Sequence, residues 1–157
     1  MPYIKQENRA PYDKLVELII KNNINPFGID NILVEFCKKH IKPGYNNYKN
    51  FRGELRECHD EIERRLYKLD ETNLGCLDWP TMSEKNKKNI IAAMAKIIKV
   101  DGDLNYTLFK LAKILKQKGY SAIISFNVML YTAEKRILSE LIVPYEDEKI
   151  KENGDVS

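Results

Sequence analysis

Cysteine, histidine and tryptophan are scarce in this chain, at three, two and one among 157 residues, and only seven glycines and six prolines occur. Three cysteines (Cys37, Cys58, Cys76) are an odd number and build no disulfide framework, which suits a reducing, cytoplasmic setting. No apolar run approaches the ~18 residues of a membrane helix, so no membrane partner is expected. The opening MPYIKQENR lacks the apolar stretch of a secretory signal. No glycine-rich phosphate loop and no glycine-flanked serine occurs, which leaves nucleophilic and P-loop chemistry without support. Net charge is only +3, far from the basic excess of a nucleic-acid-binding face.

What is present is an internal echo. With Leu33 set on Leu108, a gapless offset of 75 residues aligns Lys38 with Lys113, Gly44 with Gly119, Tyr45 with Tyr120, Phe51 with Phe126, Leu55 with Leu130 and Leu66 with Leu141. Val34 with Phe109, Phe36 with Leu111 and Ile62 with Ile137 match in kind. Upstream the offset slips to 74, pairing Gly28 with Gly102 and Asn31 with Asn105. The chain therefore reads as two copies of a three-helix unit, over 11–69 and 84–143, joined by a linker at 70–83 and followed by a tail at 144–157.

Apolar spacing predicts helices near 11–23, 30–42, 46–69, 84–99, 104–118 and 121–142. The third is the clearest: Phe51, Leu55, Cys58, Ile62, Leu66 and Leu69 recur at three- and four-residue steps. Asp30, Ser83 and Asp103 are expected as helix caps, and Pro144 as the end of the last helix. The fold class expected is all-α, a six-helix bundle made of two three-helix units related by a pseudo-two-fold axis and forming one compact domain. Short polar terminal arms flank it. The tail carries five acids against two lysines, and its Asn153-Gly154 dipeptide is able to turn a small β-hairpin.

Chemistry-bearing constellations are few. Cys37 with His40, and Cys58 with His59, have zinc-compatible spacing, but Cys37 aligns with Ala112 and Cys58 with Ala133, which makes both small packing positions. No metal and no cofactor is expected. Glu54-x-x-Glu57 resembles one half of the Mg²⁺-binding pattern of all-α nucleotide pyrophosphohydrolases; no second helix supplies a clean partner, basic residues interleave with the acids, and a solvated helix face is the better account of them. The candidate binding residues are Tyr3, Lys5, Arg64, Arg65, Asn105, Tyr106, Tyr145, Glu146, Asp147, Lys149, Asn153 and Asp155. Their arginines offer planar forks to phosphate or carboxylate, and the two chain ends are expected to meet near Arg64 and Arg65.

The termini resemble a family of small, functionally uncharacterised proteins of bacteriophages and bacteria. Its members open with Met-Pro-Tyr-Ile-Lys, found at Met1 to Lys5. They carry a Gly-acid-Leu-Asn-Tyr helix start, found at Gly102 to Tyr106, and close on Pro-Tyr-Glu-Asp-x-Lys-Ile-x-x-Asn-Gly-Asp-Val, found at Pro144 to Val156. The family's Glu-x-x-Arg-Arg helix end departs from its place: it stands at Glu61 to Arg65, in the first copy. The resemblance implies a duplicated member and no activity. The function expected is that of a non-enzymatic, phage- or mobile-element-type accessory protein that binds a host protein or a small anionic ligand. The alternatives are a metal-dependent pyrophosphohydrolase-like enzyme and a nucleic-acid-binding regulator.

Overall fold

The computed structural model describes residues 4–22, 28–67, 82–100 and 102–156. Tyr3, Cys76 and most of the expected linker at 70–83 lie outside them. A single 3-10 turn, Gln6–Asn8, leads into α1 (Ala10–Lys21), α2 (Ile29–His40), α3 (Tyr45–Leu66), α4 (Glu84–Ile97), α5 (Asp103–Lys116) and α6 (Tyr120–Ile137). A π-helical turn, Leu138–Ile142, then carries the chain into α7 (Val143–Asn153). No strand occurs among the described residues, and no helix is long and apolar enough to cross a membrane.

Local chemistry explains most of the boundaries. Pro11 sits in the first turn of α1, where its missing N–H costs nothing. Ser83 caps α4, its hydroxyl accepting from Asn86 N at 3.1 Å. Gly44 and Gly119 occupy the same place ahead of α3 and α6, with φ of 156° and 124°, values that disfavour any residue with a Cβ. The repeated Gly-Tyr pair is thus a repeated sharp joint.

Three expectations need correction. Asp30 is not the cap of α2; Gly28 precedes the helix and Asp30 lies buried in its first turn. Asp103 does not cap α5 forwards. It is the first residue of that helix, behind Gly102 at φ 95°, and its carboxylate reaches back to Lys99 N and Val100 N at 2.9 and 3.1 Å. Pro144 does not end the last helix, and the tail forms α7 rather than a hairpin. Proline inside an α-helix clashes with the carbonyl four residues back. The π turn just before Pro144 loosens the helix at that point, and Pro144 then starts α7 as an N-terminal proline does. Gly154 takes φ 82° at the C-terminal end of α7, so Asn153-Gly154 is a helix stop.

Packing joins the two halves of the chain at every level. The most extensive contact is α3 on α6; α2 lies on α6 and α5 on α3; α1 packs on α5 and α4 on α2; α1 also meets α4. For each of α1 to α6 the principal partners belong to the other half, and α5 on α6 is the substantial contact within one. Phe51, Leu55, Cys58 and Ile62 of α3 are buried, as are Phe126, Leu130, Ala133 and Ile137, the residues 75 positions later on α6. Each half therefore covers the apolar stripes of the other. Expressed separately, residues 1–79 and 80–157 should each lack cooperative thermal unfolding and should recover native-like helical circular dichroism on mixing. A half that melts cooperatively as a monomer would contradict this packing.

Candidate functional site

The first half of α3 forms one wall of a cleft. Two recesses adjoin there and share Asn50 and Glu54, with volumes of about 350 and 240 Å³. The larger holds Lys49, Glu54, Glu57, Gly102 and Asn105; the smaller holds His40, Lys42, Lys99 and the edge of Phe51. The α2–α3 and α4–α5 turns flank the cleft, and side chains pin both. Asn47 donates to Lys42 O at 3.0 Å, and Asp103 holds the turn at Lys99 and Val100 while accepting from the Tyr12 hydroxyl at 2.9 Å. Gly102 N donates to Glu54 Oε1 at 2.8 Å, and Asn105 Nδ2 donates to Glu57 Oε2 at 3.2 Å. Asn105 is 1% exposed, and its Oδ1 has no hydrogen-bond partner among the described residues. Glu54 and Glu57 therefore share the larger recess with Lys49, and Glu54 also lines the smaller one with Lys42 and Lys99.

A second polar group lies between α3 and α6. Glu134, with a side chain 5% exposed, accepts at a single oxygen from Arg52 Nη2 at 3.1 Å, Arg56 Nη2 at 2.7 Å and Arg56 Nε at 3.1 Å. Two turns earlier on the same buried face, Asn127 donates to His59 O at 3.3 Å and to the Tyr67 hydroxyl at 3.0 Å. Reading the sequence missed both. The available signal was that Asn127 and Glu134, seven residues apart, share a helix face with Leu130 and Ala133 in an otherwise apolar stretch.

The expected binding residues separate into four places. Arg65 stacks its guanidinium on Phe109 at 4.7 Å, and Arg64 pairs with Glu61. Tyr106 donates to Asp13 at 2.7 Å beneath the Arg9 guanidinium, 5.5 Å away; burial, then that bond, push its phenol up to about 12. Asn105 lines the cleft. Tyr145 lies edge-on to Tyr48 at 6.2 Å, while Glu146, Asp147, Lys149, Asn153 and Asp155 are exposed on α7 and just beyond it. Tyr48 and Arg65 are 17 residues apart on α3, about 25 Å at 1.5 Å per residue. The tail and the arginine pair thus stand at opposite ends of that helix. Lys5 is exposed at the 3-10 turn, whose Ile4 carbonyl accepts from Arg9, so the N-terminal segment sits beside α5. The meeting point expected at Arg64 and Arg65 is not formed by α7, because the π turn and Pro144 continue the last helix in place of folding the tail back.

Cys37 and Cys58 are buried and unpaired. Burial pushes the Cys37 thiol up to about 12, and pushes Cys58 further, with Glu61 and Glu54 adding to the effect. Metal ligation requires the thiolate, the form these environments disfavour. On the outer face of α3, His59, Asp60 and Glu63 hold donor atoms within 4.8 Å of one another, at half-exposed and exposed positions.

One family model, described as a domain of unknown function (DUF6899), matches the chain twice, over residues 1–72 and again over 80–156. No curated protein and no solved structure matches it. The chain belongs to the DUF6899 family and carries its unit in two successive matches.

Two outcomes follow from these contacts. Glu134→Ala removes the acceptor of both arginines and should lower the unfolding free energy by about 3 kcal/mol. That is the low end for a broken buried pair, because the Arg56 side chain is 61% exposed; chemical denaturation measures it, with Lys149→Ala on the exposed α7 expected to leave stability essentially unchanged. In a Cys76→Ser background, Cys37 and Cys58 should resist a thiol-specific aromatic disulfide reagent at pH 8 and react only on unfolding. Rapid reaction of the native protein would contradict their burial.

Proposed function

We propose that this two-unit protein binds a small phosphorylated anion in the cleft along α3, as a binding protein and not through protein docking at its termini. The observation that carries the reading is the clustering of Lys42, Lys49, Lys99 and His40 around the two adjoining recesses. Ammonium groups at a pinned cleft strengthen their hydrogen bonds to anionic oxygen. The two turns that form the rim are anchored by Asn47 and Asp103, so little ordering is required on binding.

We further propose that a pseudo-two-fold axis relates the units, passing between α3 and α6. Equivalent contacts support this. Position 52 meets 134 as position 127 meets 59, through Arg52–Glu134 and Asn127–His59. Position 56 meets 134 as position 131 meets 59, through Arg56–Glu134 and the Tyr131–His59 ring contact at 6.0 Å. The packing of α2 on α6 repeats as α5 on α3, and α1 on α5 as α4 on α2. A tandem unit of this kind substitutes covalently for a two-fold homodimer. The cleft is then composite, with Glu54 and Glu57 from one unit and Gly102 and Asn105 from the other. It has no equivalent across the axis: the positions paired with Lys49, Glu54 and Glu57 hold Ile124, Met129 and Thr132, and Asn31, paired with Asn105, accepts from Arg136 at 2.7 Å.

A second reading, hydrolysis of a nucleoside phosphate, has one specific support, since Glu54-x-x-Glu57 lines the larger recess. The facing helix contributes a carboxamide where those enzymes carry further acids. Calorimetric titration with inorganic pyrophosphate and with ATP should give saturable binding, weakened about tenfold by Lys49→Ala and again by Lys99→Ala, as loss of a charge-assisted hydrogen bond implies. No orthophosphate should be released. Absence of binding would refute the proposal, and sustained phosphate release would replace it with the hydrolytic reading.

A further inference from the structure

The small net charge of the chain conceals an uneven distribution. Residues 84–99, which are α4 and the two residues beyond it, hold five of the 26 lysines and arginines and one of the 23 acids. The remainder, 21 against 22, is close to neutral. We infer that the exposed face of α4, with the recess it forms against α2, is a docking surface for the phosphate backbone of a nucleic-acid duplex.

The lysines are ordered along the helix. Lys85, Lys88 and Lys96 are exposed and fall within a face about 80° wide at 3.6 residues per turn, opposite the buried Ile90, Ile91 and Met94. None of the three has an acidic partner among the described residues, whereas Lys38, Lys110 and Lys149 each do. Beside this face, α2 and α4 enclose a recess of about 370 Å³ that Asn31, Lys39, Lys87 and Lys88 line. The two acids of the recess are already matched: Glu35 stands 4.0 Å from Lys38, and Glu84 3.1 Å from Lys87. Lys99, just past α4, carries the positive charge on to the α2–α3 turn. The fold does not require any of this. At an offset of 74, α1 has Pro11, Lys14 and Asn22 where α4 has Lys85, Lys88 and Lys96, and it forms a helix all the same.

Charge narrows the occupant to a polyanion, and the remaining chemistry narrows it to a duplex. The large apolar residues of α4 are buried, and Ile97 and Ile98 pack against the core. The helix therefore has no such side chain left to insert, as an interfacial membrane helix requires. No aromatic residue lines the α2–α4 recess among the described residues, so the bases of a single strand lack platforms on which to stack. Phosphates and sugars remain, and lysines and carboxamides contact these without reading sequence. Asn89 on the exposed face and Asn31 in the recess supply the carboxamides. Lys85 and Lys96 are about 16 Å apart at 1.5 Å per residue, enough to follow several successive phosphates of one strand.

The surface is separate from the anion cleft, because Lys85, Lys88 and Lys96 line neither of its recesses. The full chain is titrated into a fluorescently labelled DNA duplex at several salt concentrations, with anisotropy as the readout. Saturable binding is expected, equal for unrelated sequences, with log K falling against log salt at a slope of about −3 to −4, for roughly four phosphates neutralised. The triple variant Lys85→Gln, Lys88→Gln, Lys96→Gln should flatten that slope by about one per lysine. It keeps the fold, since glutamine suits an exposed helix about as well as lysine. The same charge removed by Lys113→Gln, Lys135→Gln and Lys151→Gln, on helices other than the α1 and α2 that pack on α4, should leave the slope unchanged. Pyrophosphate binding should be the same in the α4 variant as in the parent, so the two readings fail separately. Absence of duplex binding at low salt overturns the inference, as does equal loss in both triple variants or tighter binding of the single strand. Binding to phosphatidylserine vesicles with none to the duplex would overturn it in favour of a lipid surface.

Discussion

The packing of α3 against α6 is the constraint on which the remaining structure depends. It buries Phe51, Leu55, Cys58 and Ile62 against their counterparts Phe126, Leu130, Ala133 and Ile137. Close approach demands small residues at its middle, and Cys58 and Ala133 supply them, both at 0% exposure. Once these two helices are set, α2 and α5 have one apolar surface each to cover, and it belongs to the other unit. The polar groups then follow. Glu134 is tolerated in that interface only because Arg52 and Arg56 converge on it from the facing helix, since an unpaired buried carboxylate costs several kcal/mol.

The same constraint explains why the cleft has a single occurrence. Interleaved units bring α3 of one beside the start of α5 of the other, so each unit contributes half of any site there. Substitution in one copy alone then changes one cleft and spares the other. At the first, the chain keeps Lys49, Glu54, Glu57 and Asn105; at the second, Ile124 and Met129 pack against the core and Asn31 is held by Arg136. Duplication in one chain allows a difference that a symmetric homodimer, with identical subunits, cannot have.

The end of the molecule shows how one local irregularity redirects a segment. A regular α-helix would have met Pro144 with a clash, and a turn would have freed the tail to fold back. The π turn at Leu138–Ile142 gives a third outcome, a continued helix. Tyr145 reaches Tyr48 on α3 while no residue of α7 is buried, and the acidic side chains beyond it remain on a solvated surface.

The sequence by itself determined the six helices α1 to α6, their approximate limits and their buried faces, because apolar spacing of three and four reports directly on which face leaves water; α7, which buries no residue, carries no such signal. It also determined the joints at Gly44 and Gly119, since a repeated Gly-Tyr pair marks a backbone conformation that side chains disfavour. The repeat was legible for the same reason: similar residues recur where similar packing recurs, and the family model matches both copies. What only the tertiary structure decided was partnership across the chain. Glu54 and Glu57 look like any solvated acids until α5 delivers Asn105 and Gly102 to them, 48 residues away. Glu134 gives no sign of its partners, which lie 78 and 82 residues earlier. Spacing along one helix cannot encode which other helix will face it, because that is set by the burial of both halves at once.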